Sequence, residues 1–163
     1  MMKKILVAIE LSEMSDRVFD EALSLAKAWQ APMMLLHVIT SEESASPKVV
    51  PPGSMVSGYY QISSVSFENF RTEWDAYVNL GVEKLKNYVE RAQAEGVSAQ
   101  YTQISGSPGS SICSFAKTWE ANPIVIGRRG YSGVAEFLMG SVSNYVFHHS
   151  PGSVWIINAN QAQ

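Results

Sequence analysis

Three stretches of this chain are apolar with almost no interruption: Ile5-Leu6-Val7-Ala8-Ile9, the run 33–39 broken only by His37, and Ile124-Val125-Ile126. A strand with one wet face alternates polar and apolar residues. These stretches do not alternate, so they suit strands covered on both faces, as in a parallel sheet. Between them the apolar period becomes helical. Val18, Ala22, Leu25, Ala26 and Trp29 share one stripe, and Ile112, Phe115, Ala116 and Trp119 another. The longest stripe starts near Phe67 and takes in Phe70, Trp74, Tyr77, Val78, Leu85, Tyr88, Val89 and Ala92. Two further strands are expected, one over 97–104, more polar and so nearer a sheet edge, and one over 154–157. A fourth helix is expected from about Ser141 to His149. Strands and helices therefore alternate throughout. That order implies an α/β, Rossmann-like, doubly wound parallel sheet with helices on both faces. Ligands of such sheets sit beyond the carboxyl ends of the strands where strand order reverses. Glu10 and Gly127, at the ends of strands one and four, are the places to look for chemistry.

Turn residues punctuate this pattern. Ser12 and Ser15 are candidate caps of the first helix, and Gln30-Ala31-Pro32 breaks it. Gly81 is a weak spot inside the second helix, and Gly96 suits its C-terminal cap. Asn122-Pro123 and Pro151-Gly152 close the third and fourth helices. Residues 40–65 carry Pro47, Pro51, Pro52, Gly53, Gly58 and many serines with no sustained period, and read as a long loop. With 163 residues and no internal repeat, one domain spanning 1–163 is expected.

The net charge of −3 argues against a broad nucleic-acid footprint, which needs a strongly basic face. One cysteine, Cys113, precludes any disulfide within the chain and fits a reducing compartment. The apolar run after Lys4 is too short for a signal-peptide core or a membrane span. A cytoplasmic protein without membrane or nucleic-acid partners is the expectation.

The loop after strand four reads Gly127-Arg128-Arg129-Gly130, then nine residues, then Gly140-Ser141. Gly127 and Gly130 let the backbone turn tightly and approach a ligand closely. Gly140 and Ser141 open helix four, where free N–H groups and the helix dipole attract anions. Ser141 and Ser143 add hydroxyl donors. Arg128 and Arg129 supply positive charge or face solvent, and the sequence does not choose between these.

With that spacing, its flanks 125–130 and 140–143, and the opening Lys4-Ile5-Leu6-Val7-Ala8-Ile9 with Ser12-Glu13, the chain resembles the universal stress protein family, in its ATP-binding subset with the G-x2-G-x9-G-S pattern. The resemblance covers nearly the whole chain. It implies a five-stranded parallel sheet of order 3-2-1-4-5 and a homodimer formed through the fifth strand, Val154 to Ile157. It also implies an adenine nucleotide, ATP or alternatively AMP. Ribose and phosphates would lie against Gly127, Arg128, Gly130, Gly140, Ser141, Val142 and Ser143, and Ile126 is a further residue of the nucleotide site. The adenine would lie against Ala8, Ile9, Glu10 and Val38. Glu10 departs from the family pattern, which has Asp there; the charge is kept on a side chain longer by one methylene.

Other features read as structural. Gly106-Ser107-Pro108-Gly109-Ser110-Ser111 opens helix three but lacks the lysine of a P-loop, so it is a capped turn that could edge the pocket. His148 and His149 are adjacent, do not share a helix face and are not a metal pair. His37 is a core or pocket-wall residue, Cys113 a small core residue, and Trp29, Trp74 and Trp119 core aromatics. Tyr59 and Tyr60 are candidates for a lid or partner contact.

No catalytic set accompanies these binding features. Phosphoryl transfer needs a positioned base and metal-holding carboxylates. Glu10, Glu13 and Glu136 are the only acids expected near the pocket, and they form no recognisable pair. A nucleotide-dependent regulatory or stress-response switch is therefore the first reading. A slow ATPase, or an enzyme that phosphorylates or adenylylates its own Ser141 or Ser143 with Glu10 helping to hold Mg²⁺, is the second. A dimeric interaction protein with an empty pocket is the third. The regulatory partner is not written in the sequence.

Overall fold

The computed structural model describes residues 3–48, 64–128 and 140–158. In chain order the elements are β1 (Ile5–Ile9), α1 (Met14–Trp29), β2 (Met33–Ile39), α2 (Ser64–Ala94) and β3 (Ala99–Ser105). They continue with α3 (Pro108–Trp119), β4 (Ile124–Arg128), α4 (Ser141–His149) and β5 (Val154–Asn158). The five strands form one sheet in the order β3-β2-β1-β4-β5, and every pairing is parallel. The expected strand order is thus the observed one. The more polar β3 lies at one edge and β5 at the other.

The unbroken apolar strands divide their side chains between two cores with a period of two. Ile5, Val7, Ile9, Met33 and Leu35 face α1 and α2, where Phe19 stacks on Tyr88 with ring centroids 4.3 Å apart. Leu6, Leu36, Val38, Ile124 and Ile126 face α3 and α4 with Ile112, Ala116 and Val146. Cys113 is buried in this second core, as expected, and burial pushes its thiol pKa up.

Some local expectations need correction. Ser12 and Ser15 do not occupy the capping position of α1; Glu13 does, without a side-chain cap. Ser12 Oγ still accepts the Met14 N–H at 3.2 Å, while the buried Ser15 donates its hydroxyl to the Ser12 carbonyl at 2.6 Å. α2 starts at Ser64, slightly earlier than its apolar stripe indicates. Gly96 follows it with φ +80°, the left-handed conformation that favours glycine at a helix end. β3 begins two residues later than the expected Val97, at Ala99.

The tryptophans are not all core. Trp119 packs against the α3/α4 core and Trp74 is half-buried between Phe70 and Tyr77. Trp29 ends α1 and is 37% exposed, with the Lys3 ammonium 3.6 Å from its ring centroid. A periodic stripe says which face a residue occupies but not whether the last turn still overlies the sheet.

Candidate functional site

Strand order reverses between β1 and β4, and a cleft opens at their carboxyl ends. Its floor is apolar. Ala8, Leu36, Val38 and Ile126 project from three adjacent strands, and Ile112 of α3 meets them. Ile9 at the end of β1 and Glu10 just past it continue the wall, and Pro108 edges it as the first residue of α3.

The far end is made by the last part of β4 and the start of α4. Gly127, Gly140, Ser141, Val142 and Ser143 all line it. Gly140 is the N-cap of α4 and has no side chain with which to cap it, so the first-turn N–H groups are offered to whatever enters the cleft. Ser143 is buried and donates its hydroxyl to the Gly140 carbonyl at 3.1 Å. The structure thus brings the expected residues of strands one, two and four together with those of helix four. Arg128 is the exception. It ends β4 in register with Asn158, half-buried, and is not part of the cleft lining. Arg129, Gly130, Glu136, Tyr59 and Tyr60 lie outside the described residues.

Two of the glycines of this spacing, Gly127 and Gly140, lie among the described residues, and their surroundings show what each accommodates. Gly127 is a residue of β4, not of a turn. A Cβ there would stand 2.9 Å from Val18 Cγ2, so the residue lets α1 close onto the sheet beneath the cleft. Gly140 has φ −60° and ψ 156°, a conformation open to any residue, and a Cβ would meet only Ser143 Oγ at 3.6 Å. What glycine provides there is room.

A buried polar cluster forms part of the cleft wall through His37 and Glu43, and sequence reasoning misses most of it. Glu43, placed by its sequence in an irregular loop, is 5% exposed. Its carboxylate accepts the Leu11 backbone N–H, the Tyr77 hydroxyl and His37 Nε2, the last at 2.9 Å. On the other side of the imidazole, Gln103 Nε2 stands 2.9 Å from Nδ1 and also donates to the Val78 carbonyl at 3.0 Å. An amide nitrogen can only donate, so Nδ1 is the acceptor. The His37 proton is then on Nε2 and points at Glu43. Burial raises the Glu43 pKa, but the bonds from His37, Tyr77 and Leu11 outweigh it and hold the carboxyl below its ordinary value. Burial, then the adjacent Glu43 carboxylate, pushes the Tyr77 phenol up.

Gly81 belongs to this cluster. A Cβ at that position would lie 2.4 Å from Gln103 Nε2 and 2.6 Å from His37 Nδ1. The weak spot of the helix is the gap through which β2 and β3 present polar side chains to α2. One sequence signal points to the cluster: a histidine inside an apolar strand must find a polar partner.

The charged side chains that line the cleft, among the described residues, are Glu10, Glu42 and Glu43. Glu10 accepts the Ser12 hydroxyl at 2.9 Å. No group of three or more His, Cys, Asp or Glu residues among those described is placed to hold a metal ion. No described helix is long and apolar enough to cross a membrane.

The model of the universal stress protein family matches residues 1–158 of this chain. The universal stress protein Sll1388 of Synechocystis is 35% identical over 156 residues, covering 94% of this chain and 96% of that protein. Universal stress protein UspA from Lactobacillus plantarum superposes with a TM-score of 0.70 at 22% identity, covering 95% of this chain and 97% of its own. The universal stress protein from Archaeoglobus fulgidus in complex with dAMP superposes at 0.61 and 21% identity, covering 95% and 97%. A family member from Arabidopsis thaliana with AMP bound does so at 0.59 and 20%, covering 97% and 92%.

Proposed function

The chain belongs to the universal stress protein family, and on that premise we propose that it binds an adenine nucleotide, ATP, in the cleft between β1 and β4 and works as a nucleotide-dependent switch. The observation that carries the reading is the cleft's two-ended chemistry. One end is apolar, lined by Ala8, Val38, Ile112 and Ile126, and suited to a purine. The other is the open N-terminus of α4 with Gly140, Ser141, Val142 and Ser143, suited to phosphate oxygens. The acidic side chains that line the cleft, Glu10, Glu42 and Glu43, all come from the loops after β1 and β2, which leaves the α4 end to the phosphates.

The dAMP and AMP bound by the Archaeoglobus and Arabidopsis proteins support an adenine ligand. Mg²⁺ would travel with the triphosphate, and Glu10 is this chain's candidate contact to it. Gly130 and Arg128 keep their assignment to the phosphate side as part of the proposal. We place the protein in the cytoplasm, as a homodimer joined along the edge strand β5.

The test is to denature the purified protein and identify what it releases. Near-stoichiometric ATP supports a binding switch with slow turnover. ADP moves the reading toward hydrolysis, and AMP toward a different preferred ligand. No release, together with no heat on titrating ATP or AMP, refutes nucleotide binding.

A further inference from the structure

The cleft is walled on its base side by two separate loops. The one after β1 contributes Glu10 and leads into Met14 and Ser15, and the one after β2 contributes Thr40, Glu42 and Glu43. They are not consecutive in the chain, and the pairing of β1 with β2 fixes their spacing only as far as Ile9 and His37. In this protein one side chain spans the gap.

Glu43 Oε1 accepts the backbone N–H of Leu11, so the loop after β1 is held by a residue of the loop after β2. Its Oε2 accepts from Tyr77 of α2 and from His37 of β2. The Tyr77 hydroxyl oxygen also accepts the Thr40 N–H at 3.4 Å, which holds the start of the second loop against the same helix. The Glu43 backbone is pinned as well. Its carbonyl accepts Ser46 N–H at 3.1 Å, Ser46 Oγ at 2.7 Å and the Lys48 ammonium at 2.5 Å. Lys48 adds bonds to the Ser41 carbonyl at 2.6 Å and to Ser46 Oγ at 2.9 Å. A carboxylate fixed at both its head and its backbone works as a strut.

We propose that Glu43 is a positioning residue of the nucleotide site: as an ionised carboxylate it sets the separation of the two loops that flank the base, and so sets nucleotide affinity. The inference rests on the proposed adenine-nucleotide reading. The Leu11 N–H and the His37 Nε2–H both need an acceptor there, whereas the Tyr77 hydroxyl also has the Thr40 carbonyl at 3.3 Å. Glutamine of the same shape offers one acceptor oxygen and one NH₂ group, and that NH₂ meets a donor whichever way the amide turns. One wall must then move. Aspartate keeps the charge but is one methylene too short to reach both Leu11 and Tyr77.

The experiment is calorimetric titration of AMP into the full chain, on wild type, Glu43→Gln, Glu43→Asp, Tyr77→Phe and Val97→Ala. Val97 is buried beyond the opposite end of the sheet, at the entry to β3, so its truncation costs stability without touching the cleft. Each variant's folding is checked by circular dichroism and thermal melting. Glu43→Gln and Glu43→Asp should each weaken AMP by about tenfold, the scale of one lost hydrogen bond to a charged group. Tyr77→Phe removes one donor of three and should weaken AMP by about threefold. Val97→Ala should bind as wild type does at a comparable loss of melting temperature. Wild-type affinity in folded Glu43→Gln or Glu43→Asp overturns the proposal. If neither Glu43 variant folds, unchanged affinity in Tyr77→Phe overturns it. Equal loss of affinity in Val97→Ala also overturns it, because affinity would then follow general stability. If the wild type binds ATP but not AMP, the same series is titrated with ATP and the same losses are expected; absence of both would instead overturn the nucleotide reading, and this inference with it.

Discussion

Replacing Gly127 by alanine tests whether the close approach of α1 is what requires glycine at this position of β4. The new Cβ would lie 2.9 Å from Val18 Cγ2 and 3.6 Å from Met14 Cε. Carbon atoms rest at about 3.5–4.0 Å, so α1 or β4 must yield by roughly half an ångström. Val18 is only 2% exposed and sits in a packed layer, so overpacking should cost about 1–3 kcal/mol. Against this, alanine in a strand recovers about 0.5–1 kcal/mol of the entropy that glycine loses on folding. The net expectation is destabilisation by about 1 kcal/mol, which for a domain of this size lowers Tm by roughly 2–4 °C.

The diagnostic variant is the double substitution. Val18→Ala alone deletes two methyl groups and should cost about 2 kcal/mol. If the clash is the cause, Val18→Ala also removes the obstacle to a Cβ at Gly127. The double variant should then be more stable than the sum of the single losses by about 1 kcal/mol. Urea denaturation of the four proteins, with m-values compared, measures this. Additivity within about 0.3 kcal/mol, or a stabilising Gly127→Ala, would refute the close-approach argument.

Other consequences are equally open to measurement. Gly140→Val should fold normally, since the backbone there suits any residue, yet lower ATP affinity at least about tenfold by filling the space before α4; unchanged titration would remove Gly140 from the site. The Glu43 pKa is held below its ordinary 4.5, so its contribution to stability is present above that value and disappears as pH falls through the folded-state pKa. Wild type should therefore lose stability toward acid more steeply than Glu43→Gln in urea titrations run from pH 6 to about pH 3, and parallel curves would contradict the assignment. Trp155 is 45% exposed on the edge strand β5. Trp155→Glu should shift sedimentation toward monomer, whereas a wild type already monomeric at tens of micromolar would sink the dimer proposal.

The order of elements and the strand order are legible because a sheet buried on both faces has one dominant sequence signature, the unbroken apolar run. The glycine spacing is legible because it is local. What escapes a reading of the sequence are facts about distant neighbours. Helix propensity marks Gly81 as a defect, since it cannot see Gln103 and His37 arriving from β3 and β2. Glu43 sits in Thr40-Ser41-Glu42-Glu43-Ser44, which reads as solvated by any composition rule. Its burial is decided by Tyr77, 34 residues away, and by Leu11 on another strand's loop. The irregular 40–65 stretch departs from its sequence reading at its start, where 40–48 is tightly hydrogen-bonded.

The charge of the cleft poses the hardest question for an anionic ligand, because its described charged side chains are all acidic and the chain as a whole is −3. The topology supplies a counterweight. In a parallel βα sheet every helix that follows a strand begins at the carboxyl rim, so helix N-termini collect there. Met14, Pro108 and Ser141, the first residues of α1, α3 and α4, all line the cleft. Each such end carries roughly half a positive charge, and three together give about +1.5. Meanwhile the charge of Glu43 is taken up by its three donors. Exposed Glu42 is screened by solvent, and Glu10 is partly engaged by Ser12. The rim nearest α4 can thus be positive inside an acidic protein before any lysine or arginine is counted. An ATP affinity that falls only weakly with added salt would be the sign of this arrangement, because fixed backbone dipoles at a partly buried site are screened far less than mobile surface cations. A steep salt dependence would shift the weight to arginine side chains instead.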